Sequence, residues 1–282
     1  MYGAARRAAR RRRDGSGAPE PGCGEDARVL AVIGGTGMSG LAERTGTSPE
    51  RVDTSAGRVW VYRASWLGQQ VAFVPRHGVG HTLAPHEINH RANILALQAL
   101  GAARVIATNA VGSLRANLPP GSLVLVGDFI DFTRRRPVTL FEGADGPVRH
   151  LDMTEPYCSG LRAAMRASAE DAGIPLVDGG VYVCTDGPRY ETPAEVRMLA
   201  LWGGDVVGMT GLPEAVFARE AGLCYAAIAL VTNLGTGLGA PPDHLGIARA
   251  SAARQEDIQR LTAGAAARLD EQMGCGCATR GL

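Results

Sequence analysis

The sequence predicts a single α/β domain, a mixed central β-sheet flanked by helices, and three observations carry that prediction. Apolar runs of strand length alternate with helical patterns, as at 205–207, 213–221 and 224–231, which read strand, helix, strand. The longer runs are apolar throughout, which marks strands buried on both faces under helices. Small polar or cationic residues stand where such runs end, at Arg76-His77, Thr108-Asn109-Ala110, Met209-Thr210 and Thr232-Asn233. Ligands of open α/β sheets collect at the carboxyl ends of strands, so these positions are the candidate site.

With 282 residues, 45% hydrophobic and 20% charged, the chain can bury a sizeable core and has the balance of a globular protein. Lys+Arg 29 against Asp+Glu 28 leaves a formal charge of +1, so no global field directs it to nucleic acid or a membrane. Six arginines crowd into residues 6–13, ahead of a Gly/Ser/Pro-rich stretch reaching Gly24. Residues 1–27 are therefore expected to be a disordered extension, 28–273 the folded domain, and 274–282 a flexible tail. No secretory signal and no bilayer-spanning run is recognisable, and the six cysteines are few and mostly scattered, so a cytoplasmic location is expected. Cys184 and Cys224 read as small hydrophobes inside apolar strands. Cys275 and Cys277 find no further Cys or His in the tail to complete a zinc set, and no metal is expected.

Along the chain, residues 29–33 form a buried strand that enters Gly34-Gly35-Thr36-Gly37-Met38-Ser39-Gly40, a turn whose amides can wrap an anion. Gly35, Gly37 and Gly40 also fit the dinucleotide pattern. The helix it needs would have to cross Thr45-Gly46-Thr47-Ser48-Pro49, and the next strand ends without an acid, so a phosphate or turn element is the better reading. Residues 58–63 and 70–74 form a hairpin. His81, His86 and His90 follow at spacings of five and four, but Pro85 interrupts any single helical face, so a polar loop with capping histidines is expected. A helix over 93–100 ends at Gly101, strands follow at 104–108 and 123–126, and the irregular stretch 133–156 has a length typical of functional or interface loops. Ser159 is expected to cap a helix reaching Gly173, and a strand covers 180–185. Thr192, Pro193 and Glu195 make a capping box, with Glu191 just ahead of it. The last predicted element is a helix over 247–273.

Five motifs now stand in order: Val32-Ile33-Gly34-Gly35-Thr36-Gly37, Pro75-Arg76-His77-Gly78, Ala107-Thr108-Asn109-Ala110-Val111-Gly112, Asp186-Gly187-Pro188-Arg189 and Gly208-Met209-Thr210-Gly211-Leu212-Pro213-Glu214-Ala215. In this order and spacing the chain resembles the methylthioadenosine phosphorylase and purine nucleoside phosphorylase family. The resemblance implies a nucleoside phosphorylase fold and phosphorolysis of a purine nucleoside to free base and ribose 1-phosphate. It also implies a homo-oligomer, either a trimer or a hexamer built as a dimer of trimers, with no cofactor beyond inorganic phosphate as co-substrate. By resemblance, Thr36, Arg76, His77, Asn109, Ala110 and Thr210 hold phosphate and Met209 packs under the ribose. Tyr190, Leu234, Gly235 and His244 join Glu191 and Asn233 around the nucleoside, and His150 reaches the neighbouring subunit's site.

The same resemblance sets the base. Members that take 6-aminopurines carry Asp where Asn233 stands and a small hydroxyl residue where Glu191 stands. An Asn donates to O6 and accepts from a protonated N7, and a carboxylate accepts from the N1–H of a 6-oxopurine but opposes the lone pair of adenine. Inosine and guanosine are the expected substrates. The alternative is a methylthioinosine or methylthioadenosine phosphorylase, since methylthioinosine enzymes pair the same purine-reading residues with an apolar 5′ pocket. A Rossmann-type nucleotide-binding protein is the distant alternative and rests on the Gly loop alone.

Overall fold

Strand β1 (Val29–Gly34) is the axis of the protein, seen here in a computed structural model that describes residues 29–35, 46–66, 69–141, 150–269 and 275–277. Its side chains alternate between two cores, Ala31 and Ile33 in one, Leu30 and Val32 in the other. This is the two-sided burial that its unbroken apolar sequence demands. β1 pairs in parallel with β4 (Gln69–Pro75) on one side and β5 (Ala102–Ser113) on the other. Outward from β4 lie β3 (Gly57–Trp66) and β2 (Glu50–Thr54), both antiparallel to their neighbours. The predicted hairpin is present, extended by a strand, β2, that the polar sequence around Glu50 gave no sign of.

On the other flank the sheet closes on itself. β5 pairs in parallel with β9 (Cys224–Leu234) along most of its length and, at its end, antiparallel with β8 (Val206–Gly208). β7 (Val177–Cys184) and β6 (Leu123–Asp131) complete the ring from β8 back to β9. Two registers matter for the site. Gly34 pairs with Pro75 and Ile33 with Ala107, which brings Gly35, Arg76 and Thr108 to one corner. Gly112 pairs with both Val207 and Asn233, which brings the ends of β5, β8 and β9 to another.

Helices α1 (His90–Ala99) and α4 (Glu214–Glu220) cover one face, with Ile94, Leu97 and Phe217 in its core. Helices α2 (Ser159–Ala172) and α5 (His244–Ala267) cover the other, packing Leu161 and Met165 with Ile258 and Leu261. They pack tightly at Gly264, where a Cβ would come within 2.1 Å of Ser168 Oγ. α3 (Pro193–Leu201) packs Val196 and Leu199 against Val183 and Val207. It opens with the predicted capping box, Glu195 N–H on Thr192 Oγ1 and Thr192 N–H on Glu195 Oε2.

Several expectations are corrected. β5 runs on through Ser113, so Asn109 and Ala110 lie within a strand and not at its end. Residues 123–131 form one strand. His90 is no loop cap: Asn89 caps α1, and His90 is its buried first residue. The cap of α2 is Cys158, whose Sγ accepts from Leu161 N–H, and not Ser159. The terminal helix begins three residues earlier than expected, at His244, capped by the Asp243 carboxylate on Gly246 N–H. No helix among the described residues is long and apolar enough to cross a membrane. The Arg-rich segment 6–13 lies outside the described residues.

Candidate active site

A cavity of about 510 Å³ opens where these strand ends meet. Arg76, His77, Ala110, Tyr190, Glu191, Met209, Thr210, Asn233 and Gly235 all line it, so nine of the sequence-predicted residues come together. Three others stand apart from it. Asn109 is buried behind Thr210, Leu234 offers its carbonyl to Asn233, and His150 is exposed. Thr36 and the His244 side chain lie outside the described residues.

One end of the cavity carries Arg76, His77 and Thr210. Arg76 is fully buried at the end of β4, and its Nε and Nη2 donate to the two carboxylate oxygens of Glu214 at 2.8 Å each, while Nη1 donates to Thr108 O at 2.6 Å. Three of its five N–H groups are thereby fixed, and two remain for a ligand. Gly35 is small because it must be, as a Cβ there would sit 3.1 Å from Arg76 Nη1. Glu214, which the sequence reading passed over, is the residue that aims the guanidinium. Burial alone would raise its carboxyl, but the charge and hydrogen bonds of Arg76 bring it down to about 2. Tyr225 O–H donates to the same carboxylate at 2.8 Å. Its only sequence signal was an acid amid the small and apolar residues Gly211-Leu212-Pro213-Glu214-Ala215.

His77 Nδ1 lies 2.8 Å from Leu83 O. A carbonyl only accepts, so Nδ1 carries the proton. Burial, aided by Arg76, lowers the imidazole to about 4, so the ring is neutral at pH 7 and Nε2 is a bare acceptor. His81, in the left-handed region at φ 57°, stacks on His77 at 4.4 Å and also lines the cavity. Thr210 Oγ1 accepts from Asn109 Nδ2 at 2.9 Å, which leaves its hydroxyl hydrogen free to donate. The Thr210 and Gly211 amides are taken by Tyr182 O–H at 3.2 and 3.1 Å, so Thr210 serves through its side chain.

At the other end stand Glu191 and Asn233. Glu191 is turned inward, 8% exposed, with Oε1 accepting from Thr185 Oγ1 at 2.8 Å. Asn233 Nδ2 donates to Leu234 O at 2.9 Å and Oδ1 accepts from Thr232 Oγ1 at 3.0 Å. Because Leu234 O only accepts, the orientation of the amide is fixed. One N–H and one lone pair are left over. A bulge does the aiming: the β5–β9 register slips between Val111 and Gly112, so Thr232 is the extra residue, and a Cβ on Gly112 would crowd Asn233 Nδ2 at 3.2 Å. Between the two ends, Met209 is held by Arg136, whose guanidinium donates to Met209 O at 2.6 Å and also to Leu212 O. Gly187, at φ 64°, gives Met209 room, since a Cβ there would lie 2.4 Å from its Sδ.

A mixed, partly closed sheet with an anion corner and an amide–carboxylate corner in one cavity has the architecture of a nucleoside phosphorylase. Residues 29–270 match the phosphorylase superfamily, and the chain belongs to that family. The 6-oxopurine nucleoside phosphorylase of Pyrococcus furiosus is 42% identical over 254 residues, covering 88% of this chain and 96% of that protein. A probable S-methyl-5′-thioinosine phosphorylase of Methanothermobacter thermautotrophicus is 50% identical over 213 residues, covering 73% and 71%. Methylthioadenosine phosphorylase from Schistosoma mansoni in complex with adenine has a TM-score of 0.79 at 30% identity, covering 85% of this chain and 90% of that one.

Proposed function

We propose that the protein is a purine nucleoside phosphorylase that cleaves 6-oxopurine nucleosides, inosine and guanosine, to free base and ribose 1-phosphate, working in the cytoplasm as a homo-oligomer. The observation that carries the reading is that Glu191 and Asn233 share one cavity with Arg76, His77 and Thr210. The name of the Pyrococcus relative supports the same substrate class.

Phosphate is both the anion and the nucleophile, so the site needs donors and no nucleophilic side chain. Arg76 offers two N–H groups and Thr210 its hydroxyl. His77 Nε2, a bare acceptor, accepts a hydrogen bond from the P–OH of hydrogen phosphate, which keeps its proton and turns an unprotonated oxygen toward C1′. As the glycosidic bond loosens, C1′ gains positive charge next to the bound anion and the purine gains negative charge. N7 takes a proton from solvent as that charge builds, and Asn233 accepts from the resulting N7–H and donates to O6, contacts that strengthen as the base departs and so act on the transition state. Glu191 accepts from N1–H.

A second reading is methylthioinosine phosphorolysis. Ile247 and Ala248 line the cavity one turn beyond His244, and apolar lining suits a methylthio group. The test is base release from inosine, adenosine, methylthioinosine and methylthioadenosine, each with and without phosphate. Phosphate-dependent cleavage of inosine with adenosine silent is expected. A faster rate on methylthioinosine would move the assignment to the second reading, and no cleavage of any would remove both.

A further inference from the structure

We propose that Cys158, Cys224, Cys275 and Cys277 form a tetrathiolate site for one structural zinc ion, in the core that α2 and α5 cover and within reach of the last turn of α4. The four residues come from three distant parts of the chain: the cap of α2, the first residue of β9, and a C-x-C pair beyond α5. Their Sγ atoms all lie within 4.8 Å of one another, with Cys224 and Cys275 at 3.4 Å. A tetrahedral zinc with Zn–S of about 2.3 Å needs sulfurs roughly 3.8 Å apart, so the cluster needs only small side-chain adjustments to close around the ion. Tetrahedral all-sulfur coordination suits a thiophilic ion and excludes calcium or magnesium. Spacing in sequence concealed the set, because the tail pair finds its partners 51 or more residues away in the chain.

The surroundings call for negative charge at these sulfurs. Arg219 in the last turn of α4 is buried, and its Nη1 donates to Cys277 Sγ at 3.5 Å. Its Nε and Nη2 have no hydrogen-bond partner among the described residues. A guanidinium does not give up its proton, so this buried cation needs an anion. Four neutral thiols or two disulfides supply none. Zinc with four thiolates carries a net charge of −2, which answers Arg219 and leaves one charge to be screened by N–H dipoles. Leu161 N–H at the start of α2 already points at Cys158 Sγ, at 3.4 Å. Cys158 N–H also bonds Tyr225 O at 2.8 Å, so two ligand-bearing elements are tied together without the metal. Zinc would add the segment after α5 to that anchor.

The test uses the full chain, expressed with zinc and kept reduced throughout, and reads metal content and not catalysis. One zinc per chain is expected. Replacing it by cobalt should give thiolate-to-metal charge transfer and the visible bands of a tetrahedral centre. Cys275→Ser with Cys277→Ser should lose the ion while phosphorolysis persists. Arg219→Met, which keeps all four ligands, should weaken zinc binding by about 10-fold or more. If these variants fail to fold, the cobalt spectrum of the unmodified chain decides alone. A reduced chain that takes up no zinc, or cobalt without thiolate charge transfer, overturns the proposal, and disulfide pairing of the same cysteines would then account for their proximity.

Discussion

The purine reading depends on one atom of Asn233. Its Nδ2 faces a carbonyl, Leu234 O, at 2.9 Å, so an oxygen placed there would set two acceptors against each other. Asn233→Asp therefore has to turn its carboxylate, and it loses the donor for O6 while gaining an acceptor for a 6-amino group. The expected outcome is a fall in kcat/KM for inosine of about a hundredfold or more, with the adenosine-to-inosine ratio rising. Initial rates on the two nucleosides measured side by side check this, and an unchanged ratio would show that the amide does not read the base. Both positions stood out in the sequence, Glu191 ahead of a capping box and Asn233 at the end of an apolar run, but only the family resemblance gave them a base-reading role. Arg136 and Glu214 were not legible. Arg136 acts on Met209, 73 residues away, and Glu214 on Arg76, 138 residues away, and no local spacing encodes such pairs.

Four elements meet at the Arg76–Glu214 pair. Arg76 directly follows β4, Glu214 opens α4, His90 opens α1 with Nδ1 3.6 Å from the carboxylate, and Tyr225 belongs to β9. Burial lowers the His90 imidazole, so it meets Glu214 as a neutral ring and Arg76 supplies the charge. Glu214 titrates near 2 when folded against an ordinary 4.5, so its contribution is fully present above about pH 4.5 and is lost as pH falls toward 2. The span corresponds to something on the order of 3 kcal/mol. Glu214→Gln leaves a buried cation short of its partner and should destabilise the protein at pH 7 by about 3–5 kcal/mol. Its stability should also vary less between pH 4.5 and 2 than that of the unmodified protein, and its KM for phosphate should rise. Urea midpoints across that pH range are the measurement, and parallel curves for the two proteins would refute the assignment. At this scale the sequence revealed where strands lie better than where they stop. β5 outlasts its apolar run because Asn109 Nδ2 and the Ser113 hydroxyl find partners inside the ring, in Thr210 and in the Arg115 backbone, and not in solvent.

Ring closure through β5, β8, β7, β6 and β9 gathers Arg76, Thr210, Glu191 and Asn233 into one cavity, yet part of the molecule near it is left uncovered. Leu201 and Trp202, at the end of α3, are 86% and 55% exposed, and Val138 is exposed in the segment after β6. Trp202 stacks edge-on with Phe132, which lines an adjoining cavity that shares Pro188 and Glu191 with the first. His150 lies on the surface and does not line its own chain's cavity. The proposed homo-oligomer gives both features one explanation: a neighbouring subunit covers the apolar surface and brings its His150 to the site. That arrangement predicts complementation. His150→Ala and Asn233→Ala should each be impaired alone, His150→Ala chiefly through a higher KM for nucleoside. Unfolding the two variants together and refolding them as mixed oligomers should restore activity, because some sites then combine an intact Asn233 with an intact His150 from the adjacent chain. Monomers of either variant cannot do this. Activity of the refolded mixture equal to the average of the two variants, or an unimpaired His150→Ala enzyme, would place His150 outside the reaction and leave each chain to work with the cavity it builds alone.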